Sequence, residues 1–230
     1  DVELAPDALA GYAKAQIDAQ EIAYLCEQAS RYFEKPVQPS DVVWSYAGVR
    51  PLLDDASGDP SAVTRDYLLE TNALGAPLLS VWGGKITTFR KLAEHAIQRL
   101  APHFPGMKGD WTAQGLLPGG ALPEGDPALF MADLAARFPW LPRDLAKHYT
   151  RLYGSRTPLL IDSAQSLADL GARFGPLLTE AEVRYLARHE WAETAEDILW
   201  RRSKHRLHMT PAEQTAFAHW FAASDMAKSA

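Results

Sequence analysis

The residues best equipped for chemistry stand in a row, Gly83-Gly84-Lys85-Ile86-Thr87-Thr88. They follow the apolar run Leu78 to Trp82 and precede Phe89, Leu92, Ala93, Ala96, Ile97 and Leu100, which recur at helical spacing. A strand-to-helix turn of this kind offers unpaired backbone N–H groups and about half a positive charge, and its glycines let a ligand approach the backbone. Lys85 adds a full charge beside it, so the turn suits an anion or a polar heterocycle. It is not a Walker loop, and no Gly-x-Gly-x-x-Gly occurs in the chain. The plain alternative is an ordinary tight turn with Thr87 or Thr88 as helix cap.

Two arginines could join this turn. Arg50 follows an apolar run in Gly48-Val49-Arg50-Pro51-Leu52, and Arg65 lies in Thr64-Arg65-Asp66-Tyr67. The planar guanidinium clamps a phosphate or carboxylate through two parallel hydrogen bonds, so two arginines and a lysine converging would suit a dianion. Singly, each would be a surface ion-pair partner. The histidines form no metal motif: His205 and His208 are three apart without a recognisable third ligand, and no metal site is expected. No Ser-His-Asp or Cys-His pattern supports nucleophilic catalysis.

The elements that must position these residues divide the chain. Asp18 to Phe33 reads as an amphipathic helix opened by an Asp18/Glu21 capping box, with Ile22, Leu25, Cys26, Ala29 and Phe33 on one face. Val42–Val49, Ala62–Leu69 and Leu78–Trp82 read as strands. Prolines and glycines then concentrate from Ala101 to Gly125, where a boundary is expected. Beyond it the pattern is helical. Asp126-Pro127 opens a helix to Phe138, Pro142 one to Gly154, Thr179 with Glu182 one through Trp191, Thr194 with Asp197 a further one, and Thr210-Pro211-Ala212-Glu213 the last, striped by Phe217, Trp220 and Phe221. The expected class is α+β: strands with flanking helices over 1–100, a linker over 101–125, and an all-α bundle over 126–230.

Composition excludes several functions. With 230 residues, 47% apolar and 23% charged, the chain can bury a core. A net charge of -6 argues against an electrostatic grip on nucleic acid. The dense basic run, Trp200 to Arg206, is expected to be a solvated helix face, with a membrane or partner contact as the alternative. The single cysteine, Cys26, is expected to be a buried thiol. No run approaches a membrane span and the start lacks a signal-peptide pattern, so a soluble, cytoplasmic protein is expected. Opening on Asp1 without methionine, the sequence reads as part of something longer.

Taken in order, Asp41–Leu52, Thr64–Tyr67 and Leu78–Glu94, continuing through Leu117-Pro118-Gly119-Gly120, His148-Tyr149, Tyr153-Gly154-Ser155 and Trp200-Arg201-Arg202, closely resemble the aerobic, FAD-dependent glycerol-3-phosphate dehydrogenases. The resemblance covers essentially the whole chain and lacks the front of that family, including its glycine loop for the FAD pyrophosphate. It implies the carboxy-terminal portion of such an enzyme, inactive by itself.

The resemblance also implies roles. Arg50 and Arg65 are expected near the substrate phosphate, with Arg50 also near the cofactor. Gly83, Gly84, Lys85, Ile86, Thr87 and Thr88 are expected to border the flavin. Lys85 is assigned to both cofactor and substrate, and to catalysis, because it would place positive charge where negative charge develops. The implied reaction is oxidation of sn-glycerol 3-phosphate to dihydroxyacetone phosphate, with hydride passing from C2 to FAD and electrons to a respiratory quinone. The base for the C2 hydroxyl is expected in the amino-terminal half. Implied partners are that half, a second copy in a homodimer, and the cytoplasmic face of a bacterial inner membrane, held peripherally. Two other readings stay open: a non-catalytic helical interaction or membrane-surface module, and an oxidase that passes electrons to oxygen.

Overall fold

A computed structural model describes residues 16–48 and 66–228. The chain divides into two compact units, Asp1–Gly115 and Leu116–Ala230.

In the first unit, helix α1 (Ala19–Ser30) starts as expected, because Asp18 accepts from Gln20 N and Glu21 N while Glu21 reaches back to Asp18 N. It stops short of Phe33, where Ser30 Oγ donates to Cys26 O and accepts from Val37 N. Cys26 is buried, as its place on the apolar face requires.

The strand expected over Val42–Val49 is not present in the described part of that span. Val42 to Gly48 carries no ladder, and Val49 lies outside the described residues. β-Branched and aromatic residues favour extended backbone, but a strand exists only with a partner. The stacking of Trp44 on Tyr46, 5.2 Å between ring centroids, fits side chains two apart on one face of an extended run.

The other two expected strands pair with each other. Strands β1 (Tyr67–Asn72) and β2 (Leu78–Gly83) form an antiparallel hairpin, in register from Tyr67 opposite Gly83 to Asn72 opposite Leu78. Of the span expected for the first, Ala62 to Arg65 lie outside the described residues; the strand covers Tyr67 to Leu69 and runs on to Asn72. Among the described residues the hairpin has no third strand, and neither outer edge is paired. Helix α2 (Phe89–Leu100) follows a short 3-10 turn, Ile86–Thr88.

The second unit is helical and carries the core. Helices α3 (Pro127–Arg137), α4 (Arg143–Tyr153), the short α5 (Pro158–Ile161), α6 (Glu180–His189) and α7 (Pro211–Ala223) enclose an apolar cluster that includes Leu134, Tyr149, Ile161, Leu186, Ile198 and Phe217. The expected starts hold: Asp126 caps Ala128 N, Pro142 stands at the cap of α4, Thr179 accepts from Glu182 N, and Thr210 and Glu213 form a capping box. Helix α6 ends at His189, before the expected Trp191. A two-residue hairpin, β3 (Arg173–Phe174) with β4 (Leu178–Thr179), precedes it.

The segment after Thr194 is a π-helix over Asp197–Arg202, opened by the reciprocal Thr194 and Asp197 hydrogen bonds. The basic run there is not one solvated face. Trp200 and His205 are buried, Arg202 Nε donates to Glu190 O, and Arg206 lies over the Trp200 ring at 5.0 Å. Basic residues cover an aromatic through their stems while keeping their charges in water.

The words Leu117-Pro118-Gly119-Gly120 and Tyr153-Gly154-Ser155 are two sides of one contact. Ser155 N donates to Gly119 O, and a Cβ on Gly154 would lie 2.1 Å from that oxygen, at φ +49. Only glycine lets the two backbones meet there.

Candidate functional site

The turn between β2 and α2 is built by backbone conformation. Gly83 and Gly84 both have positive φ, +69 and +101, which lets the chain leave the hairpin and enter the helix within two residues. At Gly84 a Cβ would lie 3.3 Å from Leu92 Cδ1 and 3.5 Å from Tyr67 Cβ. The inner side of the turn is thus packed against both β1 and α2. Tyr67 Oη and His95 Nδ1, 2.6 Å apart, tie the same strand to the same helix.

Its outer side is open. Gly83, Gly84, Lys85, Ile86 and Thr87 are exposed and Thr88 is half-buried. Ile86 is 89% exposed, an unusual position for a β-branched apolar side chain at a glycine turn. Lys85 has no ion-pair partner among the described residues. Thr88 stands at the cap of α2 without a side-chain cap bond; its hydroxyl donates to Lys85 O instead. The amides of Thr88 and Phe89 are bonded to Lys85 O and Ile86 O, so the amides that precede the first bond of the turn are those of Ile86 and Thr87. An open positive-φ glycine pair, a lysine with no ion-pair partner among the described residues and an exposed isoleucine suit a flat, partly apolar group that takes on negative charge, such as a flavin ring. Arg50 and Arg65 lie outside the described residues.

One buried charge stabilises α2 behind the turn. Glu94 is 5% exposed and bonded to Lys91 Nζ at 2.8 Å, to Arg90 Nη1 at 2.8 Å and to the Thr112 hydroxyl. The bonds from Lys91 and Thr112, with the charge of Arg90 beside them, hold its carboxyl at about 2.

The second unit contains a constellation with no local motif. His148 on α4, Glu182 on α6 and His205 in the 3-10 turn His205–His208 bring one ligand atom each within 4.8 Å of one another. Glu182 is fully buried. Its Oε1 is 2.8 Å from His148 Nε2 and 3.3 Å from His205 Nε2, and it accepts from Tyr153 Oη at 2.6 Å. Burial alone would raise the Glu182 carboxyl, but the hydrogen bonds and charges of His148 and His205 outweigh it and hold it below the ordinary range. Burial, with the Glu182 charge adding to it, pushes the Tyr153 phenol far up, so it remains a donor.

The sequence pattern conceals this cluster because Glu182 occupies the third helical position after Thr179, where a capping box would place it. The available signal is that Glu182 continues the apolar stripe of Val183 and Leu186, as His148 does that of Leu145 and Tyr149.

Among the described residues no helix is long and apolar enough to cross a membrane. The family model for the C-terminal domain of alpha-glycerophosphate oxidase matches residues 111–224. D-erythritol 1-phosphate dehydrogenase of Brucella abortus is 53% identical over 205 residues, covering 89% of this chain and 41% of that protein. The aerobic glycerol-3-phosphate dehydrogenase of Escherichia coli is 46% identical over 207 residues, covering 89% and 41%, and glycerol-3-phosphate dehydrogenase of Pseudomonas aeruginosa is 46% identical over 210, covering 90% and 41%. The chain thus spans about two fifths of the length of these relatives.

Proposed function

We propose that this chain, which belongs to the glycerol-3-phosphate dehydrogenase family and matches its carboxy-terminal portion, supplies one wall of the active site of a flavoprotein that oxidises sn-glycerol 3-phosphate to dihydroxyacetone phosphate. The observation that carries the reading is the open Gly83-Gly84-Lys85 turn, packed on one side and unspent on the other. FAD, when bound, supplies the hydride acceptor. Gly83 and Gly84 admit the ring to the backbone, Ile86 covers an apolar edge, Thr87 and Thr88 lie at the opening of α2, and Lys85 holds positive charge where negative charge develops. Arg50 and Arg65 clamp the substrate phosphate, converting remote binding into orientation of C2. The pyrophosphate loop belongs to the remainder of the enzyme, since this chain has no Gly-x-Gly-x-x-Gly, and the base for the C2 hydroxyl is assigned there because the residues that carry the resemblance offer none. The isolated chain is therefore inactive and holds FAD weakly. The electrons pass to a respiratory quinone at the membrane surface, where the enzyme is held peripherally.

A second reading concerns substrate size. The Brucella relative, at 53% identity, is named for a four-carbon polyol phosphate, so Arg50 and Arg65 would clamp the same phosphate on a longer chain.

The test is FAD titration of this chain alone and after supplying the amino-terminal half in trans, followed by bleaching with glycerol 3-phosphate or D-erythritol 1-phosphate. Flavin capture and polyol-phosphate bleaching in the mixture only are expected, and the faster substrate decides the chain length. Lys85→Ala and Arg50→Ala are expected to lower kcat/KM by roughly 100-fold or more. Peroxide formation in place of quinone reduction would identify an oxidase. No flavin capture by a folded mixture would overturn the reading and leave the helical unit as an interaction module.

A further inference from the structure

The cluster on α4, α6 and the His205–His208 turn has no part in flavin chemistry as proposed above. We propose that His148, Glu182 and His205 form a binding site for one divalent transition-metal ion of the zinc class.

The donor set argues for that class. Two imidazoles and a carboxylate are ligands for zinc, cobalt or nickel, whereas magnesium and calcium take oxygen donors. Spacing agrees. Two atoms bound at ~2 Å to one tetrahedral ion stand roughly 3.3 Å apart; His205 Nε2 is 3.3 Å from Glu182 Oε1, His148 Nε2 is 2.8 Å from it, and all three ligand atoms lie within 4.8 Å of one another, so one ion can reach all three after the side chains adjust.

The second observation is on the same carboxylate. Among the described residues Glu182 Oε2 is buried and has no hydrogen-bond partner, although buried oxygens are ordinarily satisfied. Ligation through this carboxylate, with Oε2 turned toward the ion as a weaker second donor, would give that oxygen a partner and leave a three-ligand set of two imidazoles and one carboxylate. Tyr153 Oη, 2.6 Å from Oε1, then serves as the outer hydrogen bond that orients a ligating carboxylate. Charge points the same way: Glu182 is a fully buried carboxylate, and a cation held by it would offset that charge in the core. The ion would join three segments that are 34 and 23 residues apart in sequence.

The experiment uses the full chain, stripped of metal by chelator and shown folded by circular dichroism. Cobalt(II) is titrated in, followed by visible absorption, then displaced with zinc. One equivalent per chain with an intense tetrahedral-type spectrum is expected, together with a higher thermal midpoint. In His205→Gln the affinity is expected to fall by more than about 100-fold. A folded wild-type chain that takes up no cobalt, or a folded His205→Gln that binds it unchanged, overturns the proposal. Should that variant fail to fold, ring-nitrogen NMR of the wild type decides: zinc-dependent shifts at His148 and His205 support the site, and shifts confined to the other histidines overturn it. None of these readouts involves flavin, so this proposal and the dehydrogenase reading fail independently.

Discussion

The two units carry similar apolar sequence and use it differently. In the second, the core runs from Phe130 to Phe221, with Leu134, Tyr149, Leu186 and Phe217 wholly buried. In the first, the buried described residues are Cys26 and Glu94, while Trp44, Leu68, Trp82, Ile86 and Phe89 are each more than 40% exposed. The second unit closes a core on itself, although Leu116, Leu117, Leu159 and Trp191 stay exposed. Among its described residues the first has strand and helix faces of core composition and no core cluster for them to join, which fits the proposed wall of a larger enzyme. Burial, not composition, distinguishes a self-sufficient unit from a shared one.

The comparison breaks first at Phe217, which is fully buried against Phe174, Trp220 and Phe221. Phe217→Ala is expected to cost about 3–5 kcal/mol in denaturant unfolding of the chain. A smaller loss, about 2–4 kcal/mol, is expected for Glu182→Gln, which replaces a buried anion by an amide that cannot accept as strongly from His148, His205 and Tyr153. Gly154→Ala should follow with about 1–3 kcal/mol, since its methyl would strike Gly119 O at a positive φ.

In the first unit the expected effects are smaller and conditional. Trp82→Ala, at 49% exposure, should change the stability of the isolated chain by no more than about 0.5 kcal/mol. If the same substitution costs several times that once the amino-terminal half is supplied, the shared-wall reading is sharpened; a large loss in the isolated chain would break it. Glu94 gives a pH signature. Its carboxyl is depressed from 4.5 to about 2, so its contribution is fully present above pH 4.5 and is lost as pH falls toward 2. Amide-exchange protection of α2 should therefore be greater in the wild type than in Glu94→Gln at neutral pH, and the difference should close over that window.

Helix starts were legible because a cap is local chemistry. Asp18 with Glu21, Thr194 with Asp197, and Asp126-Pro127 each lie within four residues and need no distant partner. The glycine turn was legible for the same reason: leaving a strand for a helix within two residues demands positive φ. Val42 to Gly48 was not, because β propensity describes a chain ready to pair and cannot name the pairing strand. Nor was the fate of the basic run, where Trp200 and His205 turn inward between exposed cations.

The sharpest division lies between two copies of one word. Thr179-x-x-Glu182 and Thr210-x-x-Glu213 are the same local signal, and the sequence alone determined that a helix starts at each. Glu213 reaches back to Thr210 N at 2.7 Å and completes its capping box at the surface. Glu182 instead enters the core to meet His148, Tyr153 and His205. Only the tertiary structure decided this, because a carboxylate chooses between its own helix end and distant donors according to what the fold brings within about 3 Å.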